Sequence, residues 1–167
     1  MRGEQRVRWF IGLFALAAMP CFARDFQPWV ERFACGKASY TVTSSCKPSG
    51  QPDTLNECRS QSMEVVHGNA GRKAELPELT KSTAAAIKGV GGEVKNLFLV
   101  NQGCADVGGT KVEIFYYSIG GGSAPYAEAY AVYDESGELL EKRDPRMHKA
   151  MSYPFEKLKP VRSIMPE

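Results

Sequence analysis

Reactive side chains are few in this chain. It holds two histidines, His67 and His148, and five cysteines, Cys21, Cys35, Cys46, Cys58 and Cys104. A serine hydrolase needs a base beside its nucleophile, and these two imidazoles are the only candidates. No Gly-x-Ser-x-Gly elbow occurs. Ser44-Ser45-Cys46-Lys47 has the S-x-x-K spacing of penicillin-interacting enzymes, but its companion motifs are missing and it ends a strand-like run. Gly89-Val90-Gly91-Gly92 follows a helical pattern and precedes a strand, the reverse of the order that aims a helix N-terminus at phosphate. It reads as a helix exit. His67 borders Gly68-Asn69 and reads as a loop histidine. Glu128, Asp134, Glu135, Glu138 and Glu141 crowd around a tight turn, where acids serve solubility and edge protection. A glycosidase needs two carboxylates across a cleft. No catalytic set is complete, so the sequence reads as a non-enzymatic protein with no cofactor and no metal site.

The start of the chain has the pattern of an address. Arg2, Arg6 and Arg8 precede an apolar run from Trp9 to Met19, Pro20 breaks it, and Cys21-Phe22-Ala23 supplies a cleavage site. Residues 1–23 therefore read as a secretory signal peptide cut after Ala23, and the run is short for a spanning helix. Cleavage removes Cys21 and leaves Cys35, Cys46, Cys58 and Cys104, an even number expected to form two disulfides in an oxidising compartment. Three pairings are possible. Cys46–Cys58, flanking a Pro/Gly-rich turn, with Cys35–Cys104 is the preferred one. Zinc is the rival, but no C-x-x-C pair exists.

The elements that must position any site follow from periodicity. Trp29, Val30 and Phe33 after Asp25 suggest a helix over 26–34. Ala38–Cys46 and Cys58–His67 read as strands. Pro77 opens a second helix, with Leu79, Thr83, Ile87 and Val90 on one side. Four further strands are expected at 93–101, 111–119, 125–134 and 138–142, joined by short connections into an antiparallel meander. In the third of these, one face carries larger residues and the other mainly alanine, which suits a sheet packed on a helix. From Pro145 the chain is expected to make one helical turn and then an irregular strap. The expected fold is α+β, an antiparallel β-sheet meander with two packed helices, stapled by disulfides, as a single domain over 24–167.

One segment is suited to contact. Tyr116-Tyr117-Ser118-Ile119-Gly120-Gly121-Gly122-Ser123-Ala124-Pro125-Tyr126 joins two strands through three glycines. Glycines permit close approach, and tyrosine supplies a large contact area with few rotors. Tyr117, Gly120, Gly121, Gly122, Ser123 and Tyr126 are the candidate partner-binding residues. Over residues 110–142 this region resembles small periplasmic lysozyme inhibitors, β-rich proteins whose hairpin loop, with a Ser-Gly-x-x-Tyr pattern, plugs the catalytic cleft. Gly122-Ser123-Ala124-Pro125-Tyr126 matches with Ser and Gly inverted. In size, export and disulfides the chain also resembles periplasmic immunity proteins that neutralise toxins delivered by rival cells, often through type VI secretion. Both resemblances imply a rigid exported domain that blocks an enzyme by binding it.

The charge balance agrees. The formal net charge is +2, and removal of residues 1–23 brings it to zero, which excludes a generic nucleic-acid binder. Residues 142–162 are locally basic, with seven Lys or Arg against two acids. No second apolar run is long enough to span a membrane after signal cleavage. The expected function is a periplasmic inhibitor or immunity protein whose partner is a toxin or cell-wall hydrolase. The alternatives are a small-ligand or envelope-component binding module and a small enzyme with an unrecognised site.

Overall fold

A computed structural model describes residues 25–50, 54–119 and 127–165. The candidate signal peptide and the loop Gly120–Tyr126 lie outside these residues. The first half of the chain is a meander of β1 (Gln27–Cys35), β2 (Ala38–Lys47), β3 (Glu57–His67) and β4 (Ala70–Leu76), paired in that order. Helix α1 (Lys81–Gly89) and a 3-10 turn at Val94–Asn96 lead to β5 (Phe98–Val107), β6 (Thr110–Ser118) and β7 (Glu128–Tyr133). Helix α2 (Pro145–Met151), a second 3-10 turn and the short β8 (Lys159–Pro160) complete the chain, and the second sheet runs β7-β6-β5-β8. All pairings within both sheets are antiparallel. The protein is thus mostly β with some helix, and it has two sheets where the sequence suggested one.

The expected helix at 26–34 is a strand. Trp29, Glu31, Phe33 and Cys35 alternate inward, while Val30, Arg32 and Ala34 face out. Trp29 and Phe33, four apart, satisfy both periods, and the inward Glu31 hides the alternation. Its carboxylate is occupied: it accepts the Arg162 and Ser163 N–H groups at 3.1 Å each. Other boundaries move for local reasons. Helix α1 starts after Thr80, whose hydroxyl caps the Thr83 N–H, so Pro77 lies in the turn before it. The strand expected at 93–101 begins at Phe98 and continues to Val107, and the one expected at 138–142 shrinks to a single bridge, Tyr133 to Leu139. Strand β4 has no counterpart in the sequence reading, because AGRKAEL lacks the β-branched and aromatic residues that mark strands.

The two sheets bury their inner faces against each other. Tyr40, Val42, Met63 and Val65 from the first meet Leu99, Phe115, Tyr117, Ala129, Ala131 and Tyr133 from the second, with Ile87 of α1 added. The alanine face of β7 thus packs on a sheet, giving room for the rings of Tyr40 and Phe115. Its larger face, with Tyr130 and Val132, belongs to a second core that α2 and the C-terminal strap cover through Met147, Ala150, Leu158 and Ile164. The disulfides join Cys35 of β1 to Cys104 of β5, across the sheets, and Cys46 to Cys58 between the adjacent β2 and β3.

Polar groups tie the layers where apolar packing gives way. Val100 bulges out of the β5–β6 register, which leaves backbone groups of Leu99 inside the sandwich. Gln61 of β3 satisfies them: its Oε1 accepts the Leu99 N–H at 2.7 Å, and its Nε2 donates to the Leu99 carbonyl at 3.3 Å and the Ser44 hydroxyl at 3.1 Å. Gln61→Leu fills the space but strands these groups in a dry interior. It is expected to cost about 3 kcal/mol in urea unfolding, and a loss under 1 kcal/mol would show that the bulge finds other partners. The strap is held in the same way. Asn56 donates to the Ser163 carbonyl at 2.8 Å and Ser163 donates to the Ser44 hydroxyl at 3.0 Å. Gly103 lets it lie close, since a Cβ there would stand 2.7 Å from Leu158 Cδ2.

Candidate functional site

The outer face of the second sheet is unevenly covered. Helix α2 lies on it near the β5–β6 turn, where Lys149 comes up to Gly108. At the opposite end, register places Phe98, Ser118 and Glu128 in one rank and Tyr116 beside Tyr130 in the next. The Tyr116 ring lies 5.0 Å from those of both Tyr130 and Phe155, and Phe155 is 50% exposed. Tyr116 is 7% exposed beneath them, so the half-buried Tyr130 and the exposed Phe155 are the accessible aromatics of this cluster. Beside it runs a groove of about 510 Å³ lined by Leu55, Phe98, Val100, Ser118, Ile119 and Ile164.

The Gly-rich connection leaves from this same end. The β6–β7 ladder pairs up to Ser118 and Glu128, and the Ile119 N–H then donates to the Ala127 carbonyl at 3.1 Å. Ile119 and Ala127, which flank residues 120–126, are therefore held to each other. Among the proposed contact residues, Gly120, Gly121, Gly122, Ser123 and Tyr126 lie outside the described residues. Tyr117 is described, and it is fully buried between the sheets. Its inward position follows from strand alternation, since Tyr116 takes the outer face. The surface aromatics at this end are Tyr130 and Phe155, which the sequence reading did not single out. Tyr130 could have been found from its cross-strand position opposite Tyr116. Phe155 carries no such signal.

Side chains considered for chemistry are dispersed. His67 ends β3 near Arg72, Ser136 and Glu138, whereas His148 is exposed on α2 beyond the second sheet. Ser44 is 1% exposed and engaged by Gln61 and Ser163, which makes it a structural hydroxyl. Gly89–Gly92 is the exit of α1, with the Gly92 N–H returning to the Ile87 carbonyl. Asp134 shapes its turn by accepting from the Ser136 N–H and hydroxyl and the Glu138 N–H. In that turn Gly137, at φ +84°, lies under Val65, where any Cβ would collide.

One buried group went unremarked in the sequence. Glu113 of β6 is 1% exposed and faces inward, in register with Cys104 on one side and Tyr133 on the other. Neither carboxylate oxygen makes a full hydrogen bond among the described residues, and the Gly103 N–H contributes only a weak one. Burial pushes its pKa up to about 8, against the smaller opposing effects of the Gly103 N–H and the Lys159 charge. A carboxylate oxygen and both sulfurs of the Cys35–Cys104 bridge lie within 4.8 Å of one another. Two bonded sulfurs and a neutral acid are not a metal-ligand set. The signal was present in KVEIFYY, where an acid interrupts a strand apolar on both faces.

Comparison with protein-family models, with curated proteins and with solved structures finds no match. The functional reading therefore rests on geometry and chemistry.

Proposed function

We propose that this is an exported, non-enzymatic binding protein, an inhibitor or immunity protein that blocks a toxin or cell-wall hydrolase acting in the periplasm. The observation that carries this reading is that Ile119 and Ala127, which flank the seven-residue Gly-rich connection, are hydrogen-bonded to each other beside the half-buried Tyr130 and the exposed Phe155, both packed on the buried Tyr116. A loop with fixed ends loses little entropy on binding, and an aromatic patch beside it supplies area to bury. Its occupant would be an enzyme cleft that receives the loop, with Tyr126 as anchor and Ser123 as hydrogen-bonding hydroxyl. Export through residues 1–23 fits the two disulfides, and among the described residues no helix is long and apolar enough to cross a membrane. Delivery of the target by type VI secretion belongs to the same proposal.

A second reading is favoured by the groove beside Phe98 and Ile164, whose volume suits a small apolar ligand or an envelope component. Capture from periplasmic extract separates the two. Immobilised residues 24–167 are expected to retain one protein in a saturable, equimolar complex. Tyr126→Ala and Phe155→Ala should each weaken that complex by about 2 kcal/mol or more, with little change in thermal midpoint. A complex equally strong with both variants would overturn the loop-and-patch reading. Retention of a lipid-like molecule with no protein would favour the second.

A further inference from the structure

We propose that Cys35–Cys104 is a redox-active disulfide, opened by an external dithiol at the exposed Cys104 sulfur, with Glu113 as the acid that protonates the departing Cys35 thiolate. Three observations meet here. Cys104 is exposed whereas Cys35 is 2% exposed, so an incoming thiolate has one side from which to approach. The Glu113 carboxyl stands within 4.8 Å of both sulfurs. It is buried and makes no full hydrogen bond among the described residues, a costly arrangement for a purely structural side chain.

The step balances as ordinary thiol–disulfide exchange. The external thiolate attacks Cys104 Sγ, a new sulfur–sulfur bond forms, and the Cys35–Cys104 bond breaks with its electron pair going to Cys35 Sγ. Glu113 transfers its proton to that sulfur and becomes a carboxylate. The second thiol of the external dithiol, as thiolate, then displaces Cys104 as thiolate, so the dithiol is oxidised to a disulfide and the protein pair is reduced. A thiolate departing into an apolar interior is poorly solvated, and a proton donor at the point of departure removes that obstacle. A carboxyl held near 8 matches an ordinary thiol closely, so the transfer is nearly balanced. The groups facing Glu113 are Tyr40 from β2, Tyr133 from β7 and Lys159 from β8, and Lys111 on its own strand is paired with Asp106 at 3.3 Å. Burial holds both phenols neutral through the range concerned.

Reduction of the oxidised, folded protein by dithiothreitol tests this, with each bridge followed by alkylation and mass spectrometry. Referred to dithiothreitol thiolate, the second-order rate for Cys35–Cys104 is expected to be level to about pH 7 and to fall about tenfold as pH rises through 8. Cys46–Cys58 has no such carboxylate within reach among the described residues and should show no fall. Glu113→Gln should lower the rate at pH 7 about tenfold and flatten the profile. A flat wild-type profile would overturn the proposal, as would a rate independent of dithiothreitol concentration or an unchanged profile in Glu113→Gln. If that variant lacks the wild-type near-ultraviolet circular dichroism, the wild-type profile and its Cys46–Cys58 control decide alone.

Discussion

Glu113→Met is expected to make the protein more stable at pH 7 by about 3 kcal/mol. In the folded chain the carboxyl is held near 8, and the ordinary value is 4.5. Between these values the unfolded chain gives up a proton that the folded chain keeps. Wild-type stability therefore falls as pH rises from about 4.5 to about 8 and is level beyond, where both states are ionised. Methionine has similar reach and no charge to desolvate, so the variant loses this slope. Urea unfolding at pH 4, 6 and 8 with the disulfides intact measures it. The gap between variant and wild type should widen steadily with pH, and parallel stability curves would show that the carboxyl is solvated. A residue that destabilises its own fold in this way is a candidate for function, and the same variant removes the proposed proton donor.

The second large effect is expected at Phe115. Its ring is fully buried and meets Tyr133 at 5.0 Å, Phe33 and Tyr40 at 5.8 Å each, and Tyr117 at 6.2 Å. Phe115→Ala opens a cavity that four large rings cannot close by small shifts. The expected loss is about 4 kcal/mol in urea unfolding. A loss below about 1 kcal/mol would mean that the sheets are held chiefly elsewhere, by the Cys35–Cys104 bridge and the Gln61 bonds. Because β6 runs directly into Ile119, the base of the Gly-rich connection, weakening this cluster should also loosen binding of a partner at that end. Phe155→Ala, by contrast, should act on binding alone.

Much of the architecture was legible along the chain. The runs at 38–46 and 58–67 alternate cleanly, and both are strands. Helix α1 turns Ile87 inward as its spacing suggests, although Val90, expected on the same side, is 52% exposed, and Pro145 opens α2, capped by Asp144, which accepts the Arg146 N–H at 2.8 Å. Where the reading failed, the cause was a side chain whose partner lies far away in sequence. Glu31 spoiled the alternation of β1 because it is satisfied by the backbone of residues 162 and 163. Tyr117 looked like a contact residue because the sequence does not say which of two adjacent tyrosines points outward. Pairing to β5 and β7 settles that.

Legible in the chain alone were short-range periodicity, the start of α2 at Pro145, the turn glycines and an even set of cysteines after position 23. Each of these depends on neighbours within a few residues. Tertiary structure alone decided that there are two sheets, which half of the outer face stays uncovered, and that Glu113 is shut in beside the Cys35–Cys104 bridge. Burial is a property of what packs on a strand, and a carboxylate in β6 reads the same in sequence whether its far side meets water or a second sheet. Only the closing of one meander over the other removes the water, and that desolvation gives Glu113 its chemistry.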